Sequence, residues 1–210
     1  MSALLPLDRP ALVRRSRQLN YATIAYNSLE GIFAIGAGVV AGSIALVGFG
    51  IDSMIEVSAG ATALWRLQAD ADPIRRERVE GVALRLIGVS FLALAAYVSV
   101  ESLRALASRT APDRSWFGVL LAVLSLIIMP YLSFAKRTIA VQLQSGALAA
   151  EAKQTLICVY LSVILLCGLL LNVLVGWWWA DPAAALVMVP LVTWEGIEGL
   201  RGRSACGDGC

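Results

Sequence analysis

The sequence predicts an all-α polytopic membrane protein built as a bundle of six transmembrane helices. Three observations carry this prediction. Hydrophobic residues make up 59% of the 210 residues and charged residues only 15%, where a soluble domain carries about 25% charged residues. The apolar residues are gathered into six long runs separated by short polar or charged stretches. A hydrocarbon core takes about 20 apolar residues per helix, so six spans use most of the chain and leave room for one membrane domain.

The spans are expected at about Leu19–Val40, Ile44–Leu64, Val82–Val100, Trp116–Phe134, Thr155–Val175 and Pro182–Leu200, the fifth starting a turn or two early. This divides the chain into a basic segment at 1–18, the six-helix domain at 19–200 and a short tail at 201–210. The first apolar stretch precedes its basic cluster and has no small-residue cleavage site after it, so it is not read as a signal peptide. Pro73 and Pro112 fall in long connections, where a missing N–H costs nothing. Pro130 and Pro190 fall inside spans and predict kinks or loosened turns. Small residues such as Gly31, Gly36, Gly38, Gly48, Gly50 and Ser58 allow close helix approach.

Charge placement sets the expected orientation. Arg9, Arg14, Arg15 and Arg17 precede the first span, and Arg66, Arg75, Arg76 and Arg78 lie between the second and third. Lys136, Arg137 and Lys153 lie between the fourth and fifth, and Arg201 and Arg203 follow the sixth. The other side has only Arg104, Arg109 and Arg114. The positive-inside rule then puts both termini in the cytoplasm, with the bacterial plasma membrane as the expected location. Short connections make spans one and two, and five and six, antiparallel pairs.

Asp52 and Glu56 are four apart near the middle of the second span, so both carboxylates share one helix face. Exposing a charged side chain to lipid costs at least about 2.5–3.5 kcal/mol, and two like charges one turn apart repel. Such a pair persists in a wet cavity, by sharing a proton, or by binding a cation; the plain alternative is two polar packing groups bonded to neighbouring helices. In the fifth span Gln154, Cys158 and Ser162 recur every four residues, with Glu151 and Thr155 beside them. Asp52, Glu56, Gln154 and Cys158 together offer four donors, the number zinc favours, and a thiolate among oxygens suits zinc, cadmium or cobalt. Cys158 alone also reads as a small buried hydrophobe. Glu30, three residues after Asn27, is a further ligand, a proton carrier or a partner of Arg85. Asn20, Asn172, Glu80, Glu101, Glu195 and Glu198 read as residues near helix ends or interfaces. Cys206 and Cys210 flank a Gly-Asp-Gly run, either an inert tail or a mobile chelating pair.

The second-span string Gly50-Ile51-Asp52-Ser53-Met54-Ile55-Glu56 resembles the Asp-Ser-x-x-Asp motif of the cation diffusion facilitators, with Glu56 for the second Asp. The string from Ala150 to Cys158 is similar to that family's Ala-Asp-x-x-His-x-x-x-Asp pattern, with Gln154 in place of the ligand His and Cys158 in place of the ligand Asp. The string Trp179 to Leu186, followed by Glu195-Gly196, is also similar. Phrases around Gly48-Phe49-Gly50 and Leu64-Trp65-Arg66 resemble a related vesicular zinc-transporter branch. The resemblance covers about residues 16–202 and concerns the transmembrane domain, in a short form without the family's usual cytoplasmic C-terminal domain. It implies a homodimeric exporter of a divalent metal ion, driven by proton antiport, with the ion held by Asp52, Glu56, Gln154 and Cys158. The implied partners are the ion, protons and the lipid bilayer, with no nucleic acid and no resident cofactor. With no histidine, no nucleophile motif and no nucleotide-binding loop, an enzyme or a directly ATP-driven pump is not expected. A metal sensor or regulatory subunit, and a proton-coupled transporter that carries no metal, are the other readings.

Overall fold

Long uninterrupted helices follow from a physical constraint: in hydrocarbon every backbone N–H and C=O must be satisfied within the chain. The computed structural model describes residues 9–68, 73–109, 112–143 and 146–201. The tail cysteines Cys206 and Cys210 lie outside the described residues, as do the side chains of Trp65, Arg66, Arg75, Arg76, Arg78, Glu80, Glu151 and Lys153. The helices are α1 (Arg9–Ala41), α2 (Ile44–Gln68), α3 (Pro73–Ser108), α4 (Trp116–Leu143), α5 (Gly146–Leu170) and α6 (Ala180–Leu200). All six are long and apolar enough to cross a membrane.

The helices outrun the expected spans. At 1.5 Å per residue the 36 residues of α3 reach about 54 Å, well beyond a hydrocarbon core of about 30 Å. Among the described residues its apolar stretch covers Gly88–Ser108, which overlaps the expected Val82–Val100. Pro73 is not in a connection but is the first residue of α3, a position where its absent N–H has no intrahelical acceptor to lose. Both α4 and α6 continue through Pro130 and Pro190, which sit on exposed faces. The helix α5 ends in a π-helical turn, Leu171–Val175, closed by Gly176 in the left-handed region at φ 74°.

Three helix pairs dominate the packing: α1 with α2, α4 with α5, and α3 with α6. The first two pairs join through α1 against α4 and α2 against α5, and the α3/α6 pair lies against α2, with α6 also touching α5. The short α5–α6 connection therefore does not give α6 its main partner, which is α3. Small residues set the closest crossings. A Cβ on Gly50 would stand 2.8 Å from the Ile35 backbone nitrogen and 3.0 Å from the Gly31 carbonyl oxygen. A Cβ on Gly88 would stand 2.7 Å from the Gly196 carbonyl oxygen. Backbone cannot swing aside as a side chain can, so Gly88→Val is expected to cost at least the 1–3 kcal/mol (about) of ordinary overpacking. Thermal unfolding in detergent checks this, and an unchanged midpoint would mean that α3 and α6 do not cross there.

The core at the centre of the bundle joins Leu46 and Phe49 of α2, Met129 of α4 and Leu161, Leu165 and Leu169 of α5. Many large apolar residues are exposed, among them Val40, Phe134, Tyr131 and Leu174. In a bundle with lipid as its outer solvent that surface is satisfied. At the end where α1 meets α2 the connections interlock. The Asp113 N–H donates to the Ala41 carbonyl at 2.7 Å, and the Asn172 amide donates to the Pro112 carbonyl at 3.4 Å. Trp177 and Trp179 stack there with ring centroids 5.0 Å apart.

Candidate metal site

The i, i+4 spacing on α2 turns Asp52 and Glu56 inward together; they are only 5% and 4% exposed. From α5, Cys158 is buried against them, close enough for its thiol to interact with the charges of Asp52, Glu56 and Glu30. Asp52 in turn lies near the carboxylates of Glu56, Glu30 and Glu195 and within hydrogen-bond reach of Cys158. Asp52, Glu56, Cys158 and Glu30 thus share one region of the bundle, and Gln154 stands one turn before Cys158 on α5. Among the described residues, no three His, Cys, Asp or Glu side chains are drawn close enough to hold an ion in this conformation.

Glu30 is saturated by hydroxyls rather than paired with arginine. Its Oε1 accepts from Tyr26 at 2.9 Å, and its Oε2 accepts from Ser53 at 3.0 Å, while Arg85 is exposed on α3. The Phe49 carbonyl, 3.2 Å away, is the alternative acceptor for the single Ser53 hydroxyl proton. The bond to Glu30 ties α1 to the residue beside Asp52. Gln154 is half-buried with an Nε2 that has no hydrogen-bond partner. The α5 residue that meets Glu56 is Thr155, whose hydroxyl donates to Glu56 Oε1 at 2.7 Å. Farther along the same face Ser162 donates to the Cys158 carbonyl at 2.7 Å and pairs with Ser125 of α4 at 2.9 Å.

Two buried polar residues do not follow from sequence reading. Lys136, expected in a connection, lies on the buried face of α4 at 1% exposure, and its ammonium donates to Thr155 Oγ1 at 3.3 Å. Asn20, read as a helix-end residue, is fully buried, as is Asn27, and neither amide group has a hydrogen-bond partner. A signal for the second was present. Ser16, Asn20, Thr23, Asn27 and Glu30 follow steps of four, three, four and three, the spacing of one helix face. No comparable signal marks Lys136, which sits beside Arg137 in a basic stretch.

The family profile for the cation efflux transmembrane domain matches residues 21–198, most of the chain and all six helices. The chain belongs to the cation efflux family. The profile describes a transmembrane domain, in agreement with the six-helix bundle. The chain is also similar to an uncharacterized transporter of Synechocystis sp., 25% identical over 173 residues, which make up 80% of this chain and 56% of that protein. The chain thus spans about half the length of the curated relative it matches.

Proposed function

We propose that this cation efflux protein exports a divalent ion of the zinc, cobalt or cadmium type from the cytoplasm in exchange for protons. The ion would sit between α2 and α5, with Asp52, Glu56, Cys158 and Gln154 as its donors, in a homodimer whose termini face the cytoplasm of a bacterial cell. The supporting observation is the burial of three carboxylates and one thiol, Glu30, Asp52, Glu56 and Cys158, inside the bundle. Buried like charges are costly without a cation or shared protons. An arriving ion relieves that cost, and its ligands must be deprotonated, so binding releases protons. Glu30 is the reserve member of the set: for it to reach the ion, the Tyr26 or Ser53 hydroxyl must let go. Glu195 adds negative charge on the α6 side.

The test is uptake into inside-out proteoliposomes under a proton gradient, with zinc, cobalt, cadmium, iron and manganese offered in turn. Uptake of one ion together with proton movement the other way is the expected result. Ion binding without flux would favour a sensor, and proton flux that needs no metal would favour the third reading. Cys158→Ser keeps the size of the side chain and exchanges soft sulfur for hard oxygen. It is expected to lower cadmium and zinc flux by about tenfold relative to manganese. Unchanged ion preference would remove Cys158 from the ligand set.

A further inference from the structure

A lysine inside a membrane bundle, one relay step from a buried carboxylate, is an unexpected companion for a site that takes a divalent cation. Lys136 occupies the inner face of α4 in line with Ser125, Met129 and Ser133, all buried. Ser133 ties that face to α5 by donating to the Ala152 carbonyl at 2.8 Å. An ammonium carries three donors and no acceptor, and a hydroxyl has one proton. With Lys136 donating to Thr155 Oγ1, the Thr155 proton is left for Glu56, which receives it at 2.7 Å. The direction of the relay is therefore fixed from Lys136 through Thr155 to Glu56. All three residues have further partners, so the relay is one thread of a larger network, but it couples a fixed positive charge to one acid of the pair.

We propose that Lys136 is a tethered counter-cation that stands in for the transported ion when the site is empty. The inference rests on the reading of Asp52 and Glu56 as ion ligands. In the empty carrier the ammonium offsets part of the buried negative charge, which allows the unloaded bundle to change conformation without bare carboxylates in a low-dielectric interior. When a divalent ion arrives it meets the repulsion of Lys136 and takes over Glu56 from the Thr155 relay. The lysine thus weakens binding and speeds release, and charge is the property that matters.

The experiment uses the full chain in lipid nanodiscs for zinc binding and in proteoliposomes for zinc flux, with Lys136→Met, Lys136→Arg and Thr155→Val. Lys136→Met is expected to bind zinc about tenfold more tightly, since a unit charge acts strongly over short distances in the interior, while its flux per molecule falls by about tenfold. Lys136→Arg keeps the charge and is expected to stay within about threefold of the parent in both. A residue needed only for packing would weaken binding and flux together. Binding by Lys136→Met that is weaker than or equal to the parent overturns the proposal. Should Lys136→Met fail to fold, Thr155→Val decides: tighter binding with slower flux supports the relay, and unchanged or weaker binding overturns it. If the parent itself binds no zinc, cobalt or cadmium, the ion-site reading fails instead, a separate and recognisable result.

Discussion

Asp52→Asn is expected to abolish ion transport while leaving the protein at least as stable as the parent. The substitution changes almost no volume, so the packing around α2 is retained. It removes the carboxylate that lies near the charges of Glu56 and Glu30 on the inner face of α2, and with it part of their mutual repulsion. Stability therefore holds or rises, as it does when a functional site is relieved of its strain. Ion binding moves the other way, because a charged oxygen donor has become a neutral one. A loss of at least about a hundredfold in affinity, equivalent to about 2.8 kcal/mol, is the magnitude to look for, read as flux in proteoliposomes beside a thermal melt. Flux within about threefold of the parent would remove Asp52 from the ion site. A collapse of the melt together with the flux would show that Asp52 is a packing group.

Asp181→Ala is expected to give the largest loss of stability among single substitutions outside the ion site. Asp181, the second residue of α6, is 1% exposed and caps a different helix. Its Oδ2 accepts from the Ile44 N–H at 2.9 Å and the Ala45 N–H at 3.4 Å, while its Oδ1 accepts from the Ser43 hydroxyl. Ser43 oxygen in turn accepts from the Leu46 N–H at 3.1 Å. These are the first N–H groups of α2, which have no acceptor within their own helix, and a negative charge there also favours the helix dipole. Alanine would leave them buried and unpaired, at about 1–3 kcal/mol for each group that no other acceptor reaches. Asp181→Asn keeps one acceptor oxygen and loses the charge, so its cost should fall between alanine and the parent. A melting midpoint of Asp181→Ala equal to that of the parent would show that the cap contributes nothing. Ion flux should fall as well, since the cap fixes the start of the helix that carries Asp52 and Glu56.

Placement of the candidate ligands shows how far spacing reads and where it stops. Asp52 and Glu56 were legible because four residues on one helix put two side chains on one face, whatever surrounds them. Cys158 was legible for the same reason, through its step from Gln154 and Ser162. Which neighbour on α5 touches Glu56 was not. Gln154 and Thr155 differ by one position, about 100° of helix rotation, and the rotation of α5 against α2 selects Thr155 for the contact. Glu30 was legible as an inward acid, but its partners Tyr26 and Ser53 were open until α1 had been set against α2 at the Gly31/Gly50 crossing.

By itself the sequence determined the six-helix membrane class, the inward acid pair and the uneven spread of basic residues, since each depends only on composition or on helical repeat. Tertiary structure decided that α6 packs chiefly on α3, that Asp181 caps α2, and that Lys136 turns inward from α4 to the relay that ends on Glu56. Each of these joins residues far apart in the chain, through surfaces whose fit is set by side-chain volume and backbone approach. No periodicity in one segment records which other segment it will meet.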